Sequence, residues 1–273
     1  MVNTYQAPKR LQWIKTLCLA VLIALFGGAG LGAWTISREG IHPDLAPDIA
    51  VVELRIDYMN SWLVYRKSDP ATAILIDTGI SGNEVQLAER IRSVGVNPTE
   101  IDAILVTHGH YDHIGGARKL REMFGIPVIV GVGDKDIAEG ADAPVCPTVP
   151  YARLLAGEAA PTEEWALTPD HTVGLPVDLS EFTDIPGRIT PLPGHTEGSL
   201  LIVIGNGAFV GDAVRGKMFG RGPARHFFMC DLEDNDNDLK LIANETAVNA
   251  EAIYPGHFSA FPMTSLRDWL DSK

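Results

Sequence analysis

Four side chains suited to metal binding, His108, His110, Asp112 and His113, stand within six positions in the run T-H-G-H-Y-D-H-I-G-G. The apolar stretch 101–106, I-D-A-I-L-V, comes immediately before it. Ile, Leu and Val at that density suit a strand covered on both faces. Thr107 and Gly109 let the chain turn sharply, and Gly115-Gly116 let it pass close by and enter a helix. The arrangement therefore constrains the chain to a buried strand that ends in a ligand-bearing loop. Imidazole nitrogen and carboxylate oxygen suit zinc, and also accept iron or manganese. The absence of cysteine from the run argues against a closed structural zinc site.

Three more segments repeat the same plan of short apolar run, glycine, ligand. His195 lies in P-L-P-G-H-T-E-G-S, Asp212 in A-F-V-G-D-A, and His257 in A-I-Y-P-G-H-F. Singly, each is an ordinary turn residue. Together, strands delivering such residues from one edge of a layered α/β fold place them at a common rim.

The order H-G-H-Y-D-H, then G-H, G-D and P-G-H, resembles the metallo-β-lactamase superfamily over roughly residues 45 to 273. That resemblance implies a four-layer αββα sandwich of two mixed sheets with helices outside. It implies a first metal on His108, His110 and His195, a second on Asp112, His113 and His257, and Asp212 bridging the two. A metal-bridging hydroxide, held by Asp112 and Asp212, would be the nucleophile, and zinc the expected ion. Asp77, in I-L-I-D-T-G, would orient ligands from below, as carboxylates beside ligating histidines do. The family's true lactamases generally carry Cys or Ser in place of Asp212, so Asp212 points to the glyoxalase II, lactonase, phosphodiesterase and alkylsulfatase-like branches. The flavin-linked diiron branch carries a glutamate where this chain has His110. The nucleic-acid branches carry large insertions or basic arms, which this chain lacks.

The expected activity is hydrolysis of a small ester, thioester or lactone. The rivals are a mononuclear iron dioxygenase acting on persulfides, a β-lactam hydrolase, and a non-catalytic metal-stabilised binding module. Tyr111, inside the ligand loop, is a candidate oxyanion donor, or else a packing residue. His226 is a candidate contact to a metal ligand or to substrate, or else a surface histidine. His42 and His171 carry no assignment.

A net charge of −13 over 273 residues disfavours polyanionic substrates, and no nucleic-acid partner is expected. Arg215, Lys217, Arg221 and Arg225 cluster after Asp212, as an anion-gripping edge or as a solvated loop. With 46% hydrophobic residues, the chain can bury the core of one domain. Cys18 has no small-residue lipobox before it. Cys146 and Cys230 would pair if the domain is exported, and are inert thiols otherwise.

Lys9, Arg10 and Lys15 precede an apolar stretch at 17–34 that is long enough, as a helix, to cross a bilayer. Residues 1–36 read as a membrane anchor, with the catalytic domain on the extracytoplasmic side. The alternative is a cleaved signal segment releasing a secreted or periplasmic protein, because Gly30-Leu31-Gly32 offers small residues. Residues 37–50, with Pro43 and Pro47, read as a linker, and 51–273 as the catalytic domain. Within it, strands are expected at 51–57, 62–66, 73–77 and 127–131. Helices are expected at 83–94, 117–124, 238–249 and 264–271. Residues 134–187 read as irregular, a wall or lid of the pocket.

Overall fold

The structure, a computed structural model, describes residues 42–56, 58–150, 152, 161–244 and 250–273. The expected N-terminal anchor lies outside the described residues. Among those described, no helix is long and apolar enough to cross a membrane.

Two six-stranded mixed sheets form the centre of the domain. The first runs β1 (Ile49–Glu53), β2 (Trp62–Arg66), β3 (Asp69–Ile76), β4 (Ile101–Leu105), β5 (Val128–Gly131) and β6 (His171–Val173), in that spatial order. Its first three strands are antiparallel and its last four, from β3, are parallel. The second contains β7 (Val177–Asp178), β8 (Arg188–Pro191), β9 (Leu200–Ile204), β10 (Gly207–Gly211), β13 (Ala252–Pro255) and β14 (Phe261–Pro262), ordered β14-β13-β10-β9-β8-β7. In it only β10 and β13 pair in parallel. A small hairpin joins β11 (Arg215–Gly216) to β12 (Pro223–Ala224). The helices are α1 (Glu84–Ser93), α2 (Tyr111–Ile114), α3 (Ala117–Phe124), α4 (Lys135–Ala138), α5 (Thr162–Trp165), α6 (Leu232–Asn244) and α7 (Met263–Asp271).

Side-chain alternation along the strands builds the layers, because successive residues point to opposite faces. Trp62, Val64, Ile74, Ile76 and Leu105 of the first sheet meet Ile202, Ile204, Phe209 and Tyr254 of the second in one buried cluster. Their neighbours Leu63, Leu75 and Ile104 turn the other way, onto Leu87 and Ile91 of α1 and Leu120 of α3. Leu201, Ala208, Val210 and Ile253 leave the second sheet toward Leu239 and Ile242 of α6 and Leu266 of α7. Three cores between four layers give the αββα sandwich.

Several boundaries differ from the sequence reading, each for a local reason. The expected linker does not run to residue 50. Leu45 is buried between the sheets, its carbonyl accepts from Asn206 N at 2.9 Å, and β1 starts at Ile49. Region 134–187 is not simply irregular. It supplies β6 and β7, which complete one edge of each sheet, but strands of three and two residues are too short to show alternation. Helix α6 starts at Leu232, six residues before the expected 238. Asp231 Oδ1 accepts from Glu233 N and Asp234 N, both at 2.9 Å, and this cap precedes an acidic first turn without apolar periodicity. Its expected end at 249 lies outside the described residues. Cys146 and Cys230, which the sequence left open, are joined by a disulfide.

Helix α6 also braces the second sheet's ligand loop. Asp238 is buried, and its Oδ2 accepts from Gly194 N at 2.7 Å. Burial raises its carboxyl to about 6; the Gly194 hydrogen bond opposes the rise and nearby Asp234 adds to it. The folded protein therefore binds this proton more tightly than the unfolded chain. Stability from this group is full below about pH 4 and falls as pH rises through 6. Asp238→Asn, which keeps an acceptor for Gly194, is expected to remove that fall. Paired urea titrations at pH 4 and 7 should show a gain for the variant at pH 7 only, on the order of 2 kcal/mol. An equal difference at both pH values would refute it.

Candidate metal centre

Strand ends place the ligands. His108 to His113 follow β4, Asp212 follows β10, His257 follows β13, and His195 lies in the connection from β8 to β9. Glycine makes the convergence possible. At Gly256 a Cβ would stand 2.7 Å from Asp212 Oδ1 and closer still to the His113 ring, and at Gly211, where φ is +50°, it would stand 2.5 Å from Thr107 Oγ1.

The resulting cluster contains all seven ligands expected from the sequence. His108, His110 and His195 form one group with ligand atoms within 4.8 Å of one another. Asp112, His113 and His257 form a second. Asp212 stands between them. Its Oδ2 lies 3.4 Å from His113 Nε2 and 3.3 Å from His257 Nε2 on one side, and 3.9 Å from both His108 Nε2 and His195 Nε2 on the other. Among the ligands only Asp112 and His110 are partly exposed.

Hydrogen bonds at the far ring nitrogens fix which atom each histidine presents. His113 Nδ1 donates to Asp77 Oδ2 at 2.8 Å, leaving Nε2 for the centre. Thr107 Oγ1 donates to the same Asp77 oxygen at 2.7 Å and lies 3.2 Å from His108 Nδ1, so His108 also presents Nε2. His195 Nδ1 faces Phe228 O at 3.1 Å and His257 Nδ1 faces Tyr58 O at 3.2 Å. His110 is reversed: its Nε2 faces Pro144 O at 3.1 Å and its Nδ1 points inward.

This network tests the fit to a cation. A carbonyl accepts only, so His110 Nε2 and His195 Nδ1 carry the protons. The inward atoms His110 Nδ1 and His195 Nε2, 3.0 Å apart, are then two lone pairs facing one another. His108 Nε2, His113 Nε2 and Asp212 Oδ1 are buried without a hydrogen-bond partner. Orphaned buried acceptors converging on one point need positive charge there. The cluster can hold two metal ions.

The pKa directions divide the cluster. Burial pushes His108 and His195 well below the usual range, and the neighbouring histidines add to it. Burial also works against charge on His113 and His257. There the carboxylates win: Asp212 and Asp77 hold His113 well above its ordinary value, and Asp212 with Asp112 lifts His257 to about 10. Burial alone would raise Asp112 and Asp212, but the surrounding histidines hold both well below the carboxylate range.

Tyr111 is not brought to the centre. Its hydroxyl pairs with Ser81 Oγ at 2.8 Å and its ring packs on Trp165, so the packing alternative holds. The basic cluster is divided. Arg215 lies over the Phe227 ring at 3.9 Å and Arg225 pairs with Asn235 and Asp236, while Lys217 and Arg221 are exposed.

Two further residues belong to the centre. His226 is buried, with Nε2 3.1 Å from Asp212 Oδ2. Its Nδ1 lies 3.1 Å from Phe228 O and 3.3 Å from Phe228 N, so either tautomer is available. Burial lowers it to about 4, although Asp212 acts in the opposite direction. Asp134 escaped the sequence reading. Its Oδ2 accepts from Gly109 N at 2.6 Å and Thr196 Oγ1 at 2.7 Å, and its Oδ1 from Gly198 N at 3.0 Å, tying the first ligand loop to the His195 loop. The signal was present: V-I-V-G-V-G-D repeats the plan of strand, glycine, acid that marks Asp212.

The family model of the metallo-β-lactamase superfamily matches residues 55–257. The chain belongs to that superfamily. A probable metallo-hydrolase of Methanocaldococcus jannaschii is 30% identical over 198 residues, 72% of this chain and 86% of that protein. A hydroxyacylglutathione hydrolase of Haemophilus influenzae, GloC, is 26% identical over 159 residues, 56% of this chain and 64% of its own. Among solved structures, the BLEG-1 B3 metallo-β-lactamase superposes with a TM-score of 0.59 at 22% identity, covering 81% of this chain and 99% of that one. At that identity the likeness establishes the superfamily fold. The chain is thus a metallo-hydrolase-type member of the superfamily, with the metal-binding side chains in place.

Asp77 touches neither inward-facing atom, yet it fixes a ligand in each group. Asp77→Ala is expected to weaken metal binding about 10- to 100-fold, read by chelator competition on protein whose circular dichroism is unchanged. Wild-type affinity in a folded variant would remove Asp77 from this role.

Proposed function

We propose that the protein is a dinuclear zinc-dependent hydrolase of small esters, thioesters or lactones. The observation that carries the proposal is Asp212, whose single Oδ2 faces both histidine groups at 3.3 to 3.9 Å. A carboxylate so placed holds two cations close together and equalises their charge. His108, His110 and His195 would hold the first ion, Asp112, His113 and His257 the second, and Asp212 both. Bound divalent ions of this kind activate water at neutral pH and polarise the scissile carbonyl.

The remaining work falls to the chain's own groups. Asp112 and Asp212 remain ionised at neutral pH, so their oxygens accept from water rather than donate to it. Asp77 and Thr107 keep the Nε2 lone pairs of His113 and His108 pointed inward. His226, buried with Nε2 3.1 Å from Asp212 Oδ2, would steady that carboxylate or meet substrate, the two contact roles expected of it. The hydroxyacylglutathione hydrolase relative supports a thioester among the substrates.

The membrane placement belongs to the same proposal. The stretch at 17–34 anchors the chain, and the domain faces an oxidising compartment, a location supported by the bond between Cys146 and Cys230.

The test is a substrate panel on metal-analysed protein: short-chain thioesters, simple lactones and aryl esters beside a chromogenic cephalosporin. We expect two zinc equivalents and turnover of a carbonyl ester or thioester about tenfold or more above the lactam. One iron with persulfide oxidation, or efficient lactam turnover alone, would overturn the reading. Asp112→Ala and His113→Ala should each lose about 100-fold or more in turnover without loss of fold.

A further inference from the structure

The disulfide lies beside the orienting partners of one of the two ligand groups. Pro144, two residues before Cys146, supplies the carbonyl that faces His110 Nε2 at 3.1 Å. Phe228, two residues before Cys230, supplies the carbonyl that faces His195 Nδ1 at 3.1 Å. His110 and His195 belong to the same group, and their inward nitrogens meet at 3.0 Å. The bridge therefore joins the two backbone segments that set the tautomer and ring direction of two first-site ligands.

Short-range bonds continue the staple. Met229 N donates to Cys146 O at 2.8 Å, Thr148 N donates to Phe227 O at 2.8 Å, and Thr148 Oγ1 reaches both His226 O and Phe227 O. Pro147 and Phe228 form an isolated antiparallel bridge. Apart from these, the 141–150 segment has little to hold it. All of it is exposed or only partly buried, and none of it enters the three hydrophobic cores. A loop so thinly packed depends on these few bonds and on its covalent link.

The second group is built differently. His113 is oriented by Asp77 at the end of β3, and His257 by Tyr58 O in the β1–β2 connection. Neither partner lies in a segment joined by the bridge.

We infer that the Cys146–Cys230 bridge is a positioning device for the first metal site, holding the Pro144 and Phe228 carbonyls against His110 and His195. Opening it loosens both carbonyls, so that each ring is held less firmly with its lone pair inward. The expected consequence is selective. The three-histidine site weakens about 10- to 100-fold, the scale set by removing an orienting partner, while the Asp112, His113, His257 site keeps its affinity. The inference rests on the two-site reading above.

The experiment is a zinc titration with a competing chromogenic chelator. It compares the wild-type chain, the Cys146→Ser/Cys230→Ser double variant, and wild-type protein opened with a phosphine and capped with iodoacetamide. Circular dichroism and thermal melting are followed on each. Two tight equivalents in the wild type, with one tight and one weakened in both opened forms at unchanged fold, is the expected result. Two tight equivalents in the opened forms overturn the inference. Unfolding of both opened forms also overturns it, because the bridge would then serve the whole domain rather than one site. Fewer than two equivalents in the intact wild type would instead defeat the two-site reading itself.

Discussion

The carboxylate of Asp77 is the interaction on which the centre depends. One oxygen takes the Thr107 amide at 2.7 Å and the other takes the Thr107 hydroxyl and the His113 imidazole. Through Thr107 it also sets His108. A single buried side chain thus fixes the turn that begins the ligand loop and one histidine of each group. Its backbone is left-handed, with φ at +57°, a conformation that aspartate tolerates better than bulkier residues. That turn lets the carboxylate reach under the neighbouring strand end. Asp134 performs the matching task at the end of β5, binding Gly109 on one side and Thr196 and Gly198 on the other. The two acids clamp the first ligand loop from both sides.

The sandwich explains why so many ligands converge. Strands β3, β4 and β5 are parallel, so the residues after each (Asp77, His108 and Asp134) come out at one edge of the first sheet. Strands β10 and β13 are parallel in the second sheet and deliver Asp212 and His257 in the same way. Leu200 N donates to Thr107 O, and Gly256 N donates to Gly211 O, so ligand loops are tied directly to one another, within and across the sheets. Packing of Trp62, Phe209 and Tyr254 between the sheets holds those edges at a fixed distance.

Much of this was legible in the chain because short buried strands and glycine turns leave strong local signals. The helix at 117–124 and the strand at 62–66 have their expected bounds, since the first carries helical apolar spacing and the second is a short run of β-branched, aromatic and apolar residues. All seven expected ligands fall in the cluster because each sits in a strand–glycine–ligand segment. What sequence did not reveal depends on tertiary partners. Tyr111 lies among ligands in sequence, but α2 turns its ring onto Trp165. Strands β6 and β7 exist only by pairing with β5 and β8. The orienting carbonyls of Pro144, Phe228 and Tyr58 carry no sequence signature, because any residue has a carbonyl.

Charge closes the argument for what fills the centre. Asp77, Asp112 and Asp212 place three carboxylates among six histidines, and Asp77 and Asp212 are almost fully buried. Buried anions of this kind require adjacent positive charge. With the protein's own groups alone, His113 and His257 take that role, and their basicity rises against the opposing effect of burial. Yet His108 and His195, each 3.9 Å from Asp212 Oδ2 against 3.4 and 3.3 Å for His113 and His257, move the other way and stay neutral. Protons therefore satisfy one side of Asp212 and leave the lone pairs of the three-histidine side facing each other at 3.0 Å. A cation on each side, as proposed, would satisfy both groups with every outer nitrogen left on its observed partner.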